Sequence, residues 1–160
     1  MIALRILLLN LILAIAWAFA VGELTTGRLV QGFVLGFVAL WVTGRAIGAD
    51  VYVRKAKAIL YLVAFFLREL VTANLRVAFD VVTPRHYMRP GVIGIPLDAR
   101  TDGEITLLGN LISLTPGTLT LDVSADRKTI YIHAMYIRDV EHVRKSIKNG
   151  LEKRILEVTR

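Results

Sequence analysis

The chain has 160 residues, 55% of them hydrophobic, with a formal net charge of +7 and no cysteine. Soluble domains carry about 45–50% apolar residues; here the excess lies before residue 80 and most of the charge after residue 45, which leaves room for a membrane anchor and one small domain. The missing cysteines exclude disulfide frameworks, thiol nucleophiles, iron–sulfur clusters and thiolate zinc sites.

Ile6 to Val21 is apolar except for Asn10, with Arg5 just ahead of it. Counted from the first residue, the run reaches about 20 residues, enough to cross a hydrocarbon core of about 30 Å. Ala18-Phe19-Ala20 has the small-x-small form of a signal-peptide cleavage site. The run is longer than an ordinary signal core, however, and a second follows almost at once, so it reads as a retained span. That second run, Leu29 to Gly44, holds only Gln31 and Thr43 as polar side chains, and extends to Ile47 if Arg45 reaches back to the interface. The short Gly22–Arg28 connection makes the two spans an antiparallel hairpin. Arg45, Arg54, Lys55 and Lys57 follow the second span, whereas the connecting loop carries only Arg28 beside Glu23. The positive-inside bias puts both the N-terminus and the C-terminal half in the cytoplasm.

Neither span contains Asp, Glu, Lys, Arg or His. Ion translocation needs ionisable or polar groups at membrane depth, so this hairpin alone offers no proton relay. It does offer small residues: Gly32, Gly36, Ala39 and Thr43 recur every three or four positions, a candidate helix-packing stripe.

From Ala56 to Val82, Lys57, Tyr61, Arg68, Thr72 and Arg76 recur at helical spacing, while Leu60, Val63, Phe66, Leu67, Leu70 and Val71 fall largely elsewhere. This predicts an amphipathic interfacial helix. The alternative, a third span, would bury Arg68 and Glu69 and move the basic C-terminal half to the other side of the membrane.

After Thr83-Pro84 the pattern becomes that of a water-exposed domain. A strand is expected over Val92–Leu97, a turn over Asp98–Gly103 and a helix over Glu104–Ser113. Thr115-Pro116-Gly117-Thr118 has the Pro-Gly centre of a type II turn. Alternating strands follow over Leu119–Val123 and Thr129–Tyr136, then a basic helix capped by Asp139 and running to about Val158. The expected architecture is therefore a membrane α-helical hairpin (1–48), an amphipathic interfacial helix or third span (49–83), and a cytoplasmic α+β domain of order β-α-β-β-α (84–160).

No catalytic, cofactor-binding or metal-binding set emerges. His86, His133 and His142 have no ligand-spaced companions, His133 reading as a surface or subunit-contact residue, and Glu104, Asp122 and Asp126 suit turns and caps. Phosphate loops and hydrolase motifs are absent, as are nucleic-acid recognition motifs. Enzyme activity, nucleic-acid binding and a small-molecule substrate for this chain alone are not expected.

Leu107-Leu108-Gly109-Asn110-Leu111-Ile112-Ser113-Leu114-Thr115-Pro116-Gly117-Thr118-Leu119-Thr120-Leu121-Asp122-Val123 resembles the E subunit of Mrp/Mnh/Pha-type multisubunit cation/proton antiporters. The resemblance continues through Tyr131-Ile132-His133-Ala134 and Arg89-Pro90-Gly91-Val92-Ile93 into the N-terminal half. It implies a multi-pass protein of the bacterial inner membrane, hetero-oligomeric with other antiporter subunits. In such a complex Na⁺ or K⁺ is exchanged for H⁺ by larger subunits, and this chain is an accessory without catalytic residues. The competing reading is a stand-alone membrane-tethered module whose basic domain contacts anionic lipid or a cytoplasmic partner, motivated by Arg144, Lys145, Lys148, Lys153 and Arg154.

Overall fold

The computed structural model describes residues 2–47, 49–83 and 88–160, with the side chains of 44–47 excepted. Pro84, at the expected domain boundary, and His86 lie outside the described residues, as does the side chain of Arg45. The chain divides into two compact units, residues 1–57 and 58–160.

The first unit holds α1 (Ile2–Val21) and α2 (Thr26–Ile47), joined by a turn in which Glu23 N–H donates to the Ala18 carbonyl, together with the start of α3 (Asp50–Val82). All three helices are long and apolar enough to cross a membrane. At about 1.5 Å per residue α3 is about 50 Å long, well beyond the hydrocarbon thickness.

The second unit combines the rest of α3 with β1 (Gly91–Pro96), α4 (Asp102–Leu114), β2 (Thr118–Val123), β3 (Thr129–Ala134), α5 (Val140–Ile147) and α6 (Lys153–Thr159), with a π-helical turn, Lys148–Glu152, between the last two. The three strands form one antiparallel sheet in the order β1-β3-β2, an α+β domain. Central β3 alternates strictly. Ile130, Ile132 and Ala134 are buried with Ile93 and Ile95 of β1, against Leu108 and Ile112 of α4 and Leu151 and Ile155 of the C-terminal helices. Leu62, Phe65 and Phe66 bring α3 onto the same core.

Helix α4 starts at Asp102, two residues before the expected Glu104, because Thr101 and Glu104 form a reciprocal capping box. The Glu104 carboxylate accepts the Arg100 N–H at 2.8 Å, the Thr159 hydroxyl at 2.7 Å and the Thr101 N–H at 3.2 Å. The Arg100 N–H first, then Thr159 and Thr101, lower its pKa to about 2, against the opposing effect of burial.

The C-terminal helix departs from regularity at its π-helical turn. There Gly150 lets the Phe65 ring approach, since a Cβ at Gly150 would stand 3.1 Å from Phe65 Cζ. The extra residue turns Glu152 inward, where it accepts the Asp98 and Ala99 N–H groups at 2.6 and 3.0 Å and pairs with Lys148 at 3.2 Å. It thereby holds the loop after β1 in place.

Because the folded pKa of Glu104 lies below its ordinary 4.5, its stabilisation is full above pH 4.5 and disappears as the pH falls toward about 2. Glu104→Gln is expected to lower stability at neutral pH by roughly 1–3 kcal/mol. It should also flatten the acid limb of a thermal-melt series on the full chain. An acid limb identical in variant and parent would contradict this assignment.

Candidate functional site

In the first unit, Gly32 and Gly36 form the seam between α1 and α2. A Cβ at Gly32 would stand 2.8 Å from the Ala14 carbonyl oxygen and 2.9 Å from Trp17 Cβ, and one at Gly36 would fall on Asn10 Oδ1. The helices approach this closely only because both positions lack a side chain. Ala39 and Thr43 lie outside the seam: both are exposed, and the Thr43 hydroxyl turns back to the Ala39 carbonyl at 2.7 Å. Leu40, buried one turn beyond Gly36, continues the seam in their place. Asn10, fully buried, donates to the Tyr52 hydroxyl at 3.1 Å. Tyr52 in turn meets Phe37 edge-on, with ring centroids 5.5 Å apart.

In the second unit, α3 has two unlike faces. Leu62, Phe65 and Phe66 pack on the α+β core, and Glu69, Thr72 and Arg76 line a cleft of about 230 Å³ against that same layer. Leu60, Val63, Leu67, Val71, Leu75, Phe79 and Val82, spaced three or four residues apart, are all exposed. The helix thus packs on the core through aromatic and aliphatic side chains, while Arg68, Thr72, Asn74 and Arg76 are exposed and a continuous apolar stripe is exposed as well, more than a surface helix on a water-soluble domain shows.

The Thr115–Thr118 segment closes the cleft. Thr118 N–H donates to the Thr115 carbonyl at 3.1 Å, with Pro116 and Gly117 at the centre and Gly117 at φ +88°. That positive φ suits glycine, and a Cβ there would also stand 3.2 Å from the Tyr136 ring. Tyr136 is therefore set between the turn and α3, with the Arg76 guanidinium 5.4 Å from its ring centroid. The Asp80 carboxylate, reinforced by burial, raises the pKa of the Tyr136 phenol. Yet among the described residues Asp80 Oδ2 and the Tyr136 hydroxyl are both buried without a hydrogen-bond partner of ordinary geometry.

Asp80 and Tyr136 do not stand out in the sequence as site residues. The one signal is an acid set four residues after Arg76 in the otherwise apolar stretch Val77–Val82. His133 is half-buried on the strand face opposite the core, paired with Val92 and Leu119. Glu104 caps α4, and Asp126 caps its own turn through Ser124 and the Lys128 N–H. Among the described residues no group of His, Asp and Glu could hold a metal ion.

The basic C-terminal helix is largely engaged within the domain. Arg144 pairs with Glu141 and donates to the Gly94 carbonyl, and Lys148 bonds Asp98, Glu152 and the Pro96 carbonyl. Arg154 stacks 3.8 Å from the Phe65 ring centroid while donating to the Asn149 and Gly150 carbonyls.

Gly36→Leu should force α1 and α2 apart and destabilise the hairpin by roughly 1–3 kcal/mol, whereas Ala39→Leu, outside the seam, should leave it unchanged. The two tryptophans, Trp17 and Trp41, both lie in the hairpin, so their fluorescence during thermal melting of the detergent-solubilised chain reads this unit alone. Equal melting of the two variants would refute the seam.

Residues 10–158 match the profile of the family described as MNHE, a Na⁺/H⁺ ion antiporter subunit. A relative from Alkalihalophilus pseudofirmus, the E subunit of a Na⁺/H⁺ antiporter, is 40% identical over 154 residues, 96% of this chain and 98% of the relative. One of the same description from Bacillus subtilis is 38% identical over the same shares. Among solved structures, a chain of the membrane-bound sulfane sulfur reductase, an archaeal respiratory membrane complex, superposes with a TM-score of 0.54 at 26% identity, covering 94% of this chain and 98% of that one. With a matching profile over nearly its whole length and relatives at about 40% identity, the chain belongs to the E-subunit family of multisubunit Na⁺/H⁺ antiporters.

Proposed function

We propose that this chain is a non-catalytic accessory subunit that braces and helps assemble a Na⁺ (or K⁺)/H⁺ antiporter, the ions passing through larger subunits. The carrying observation is that Ile6–Val21 and Leu29–Gly44 contain no titratable side chain, while the buried Asn10 is engaged by Tyr52. A proton relay in hydrocarbon needs groups that change protonation, and Ile6–Val21 and Leu29–Gly44 supply none.

On this reading α3 lies along the membrane surface. Its inner face packs on the α+β core through Leu62, Phe65 and Phe66, and a helix that carries a charged domain along one flank cannot be surrounded by lipid over that length. Its outward stripe from Leu60 to Val82 then meets acyl chains or apolar subunit surface. The basic Arg54, Lys55 and Lys57 at the start of α3 support a position for it, and for the domain after it, on the cytoplasmic side of the inner membrane. The engagement of Arg144, Lys148 and Arg154 within the domain weighs against a free basic lipid-binding helix as the main function.

Affinity purification of the tagged chain in a mild detergent should bring down large polytopic subunits in fixed ratio, and a lone monomer would favour the stand-alone module instead. An alkaline phosphatase reporter fused after Arg160 should be inactive in cells; periplasmic activity would require a third span.

A further inference from the structure

Around Asp80 the second unit opens a cleft of about 710 Å³, lined by Arg76, Phe79, Asp80, Tyr136, Arg138 and Asp139 among others, the Asp139 carboxylate being the cap of α5. Asp80 is 4% exposed, and among the described residues its Oδ2 has no hydrogen-bond partner. A buried carboxylate oxygen left unpaired is costly, and the Tyr136 hydroxyl facing it is likewise buried and unpartnered among the described residues, so the two form one polar pair at which a bound N–H cation can donate to both oxygens. Arg76, one turn away, does not supply that cation: its guanidinium lies over the Tyr136 ring. It therefore leaves positive charge at the rim of the cleft together with Arg138. Phe79 both lines the cleft and belongs to the exposed apolar stripe of α3.

A complementary ligand combines an N–H-bearing cation for Asp80 and Tyr136, an anion within reach of Arg76 and Arg138, and an apolar tail running along Phe79. We propose that this cleft binds the headgroup of an aminophospholipid, its primary ammonium on Asp80 and its phosphodiester between the two arginines. A quaternary ammonium fits worse. It has no N–H for Asp80 Oδ2, and Arg76 already covers a face of the Tyr136 ring, the surface that would otherwise hold a methylated cation. The proposal deepens the reading of α3 as a membrane-surface helix and rests on it. Co-purification reads the subunit assignment separately, so loss of headgroup selectivity leaves that assignment standing.

The test is native mass spectrometry of the full chain in neutral detergent with equimolar dioleoyl phosphatidylethanolamine, phosphatidylcholine and phosphatidylglycerol. The parent should retain phosphatidylethanolamine about tenfold over phosphatidylcholine, the scale of one charge-assisted hydrogen bond. Asp80→Asn should abolish that preference while melting at the same or a higher temperature without lipid, because it removes an unsatisfied buried charge. Arg76→Ala should weaken retention of all three lipids alike. Should Asp80→Asn fail to fold, Tyr136→Phe, which keeps the ring, should lower the preference several-fold. Equal retention of phosphatidylethanolamine and phosphatidylcholine by the parent would overturn the proposal, as would an unchanged preference in Asp80→Asn. Displacement by free phosphoethanolamine at equal concentration would move the ligand from the bilayer to solution and overturn the lipid assignment.

Discussion

Hydrocarbon solvates neither charge nor unpaired backbone, and that constraint shapes both ends of this chain. In the hairpin it leaves close packing as the main source of cohesion. Gly32 and Gly36 let α1 and α2 touch at backbone distance, and the amide nitrogen of Asn10, buried between them, donates to the Tyr52 hydroxyl, while its Oδ1 is buried without a partner among the described residues. In α3 the same constraint sorts the side chains: Glu69, Thr72 and Arg76 turn to the α+β layer, and Leu60 to Val82 present the apolar stripe. The helix packs on its own domain through Leu62, Phe65 and Phe66 and still leaves an apolar stripe exposed along its length. That is the arrangement expected of a chain whose surroundings are lipid and other subunits.

The α+β domain is held by ordinary means, a three-stranded sheet with helices on one face, and its special features concentrate where it meets α3. Gly117 at positive φ allows the Thr115–Thr118 turn to press on Tyr136. The π-helical turn at Lys148–Glu152 receives Phe65 against Gly150. Both irregularities serve the same junction. The segment on which the family resemblance rests therefore has a packing role: it positions the residue that stacks with Arg76 and faces Asp80.

Much of this is legible in the sequence because it rests on local chemistry. Two unbroken apolar runs make two helices, Pro-Gly makes a turn, and alternation at Ile130, Ile132 and Ala134 makes a buried strand face. The capping box of Thr101 and Glu104 is equally local, and it starts the helix two residues before the apolar pattern does. What stays illegible is long-range. The division of the small-residue stripe, with Gly32 and Gly36 in the seam and Ala39 and Thr43 outside it, depends on where Asn10 and Trp17 stand on the facing helix. The meeting of Asp80 with Tyr136 joins positions far apart in the chain, and the π-helical turn answers a ring carried by α3. None of these leaves a periodicity to read.

The central claim is that ions move through neighbouring subunits and not through this polypeptide. Reconstituting the purified chain alone into vesicles, imposing a Na⁺ or K⁺ gradient and following internal pH tests it most directly. The account predicts no cation-dependent proton movement above that of empty vesicles, and sustained exchange by the isolated chain would contradict it.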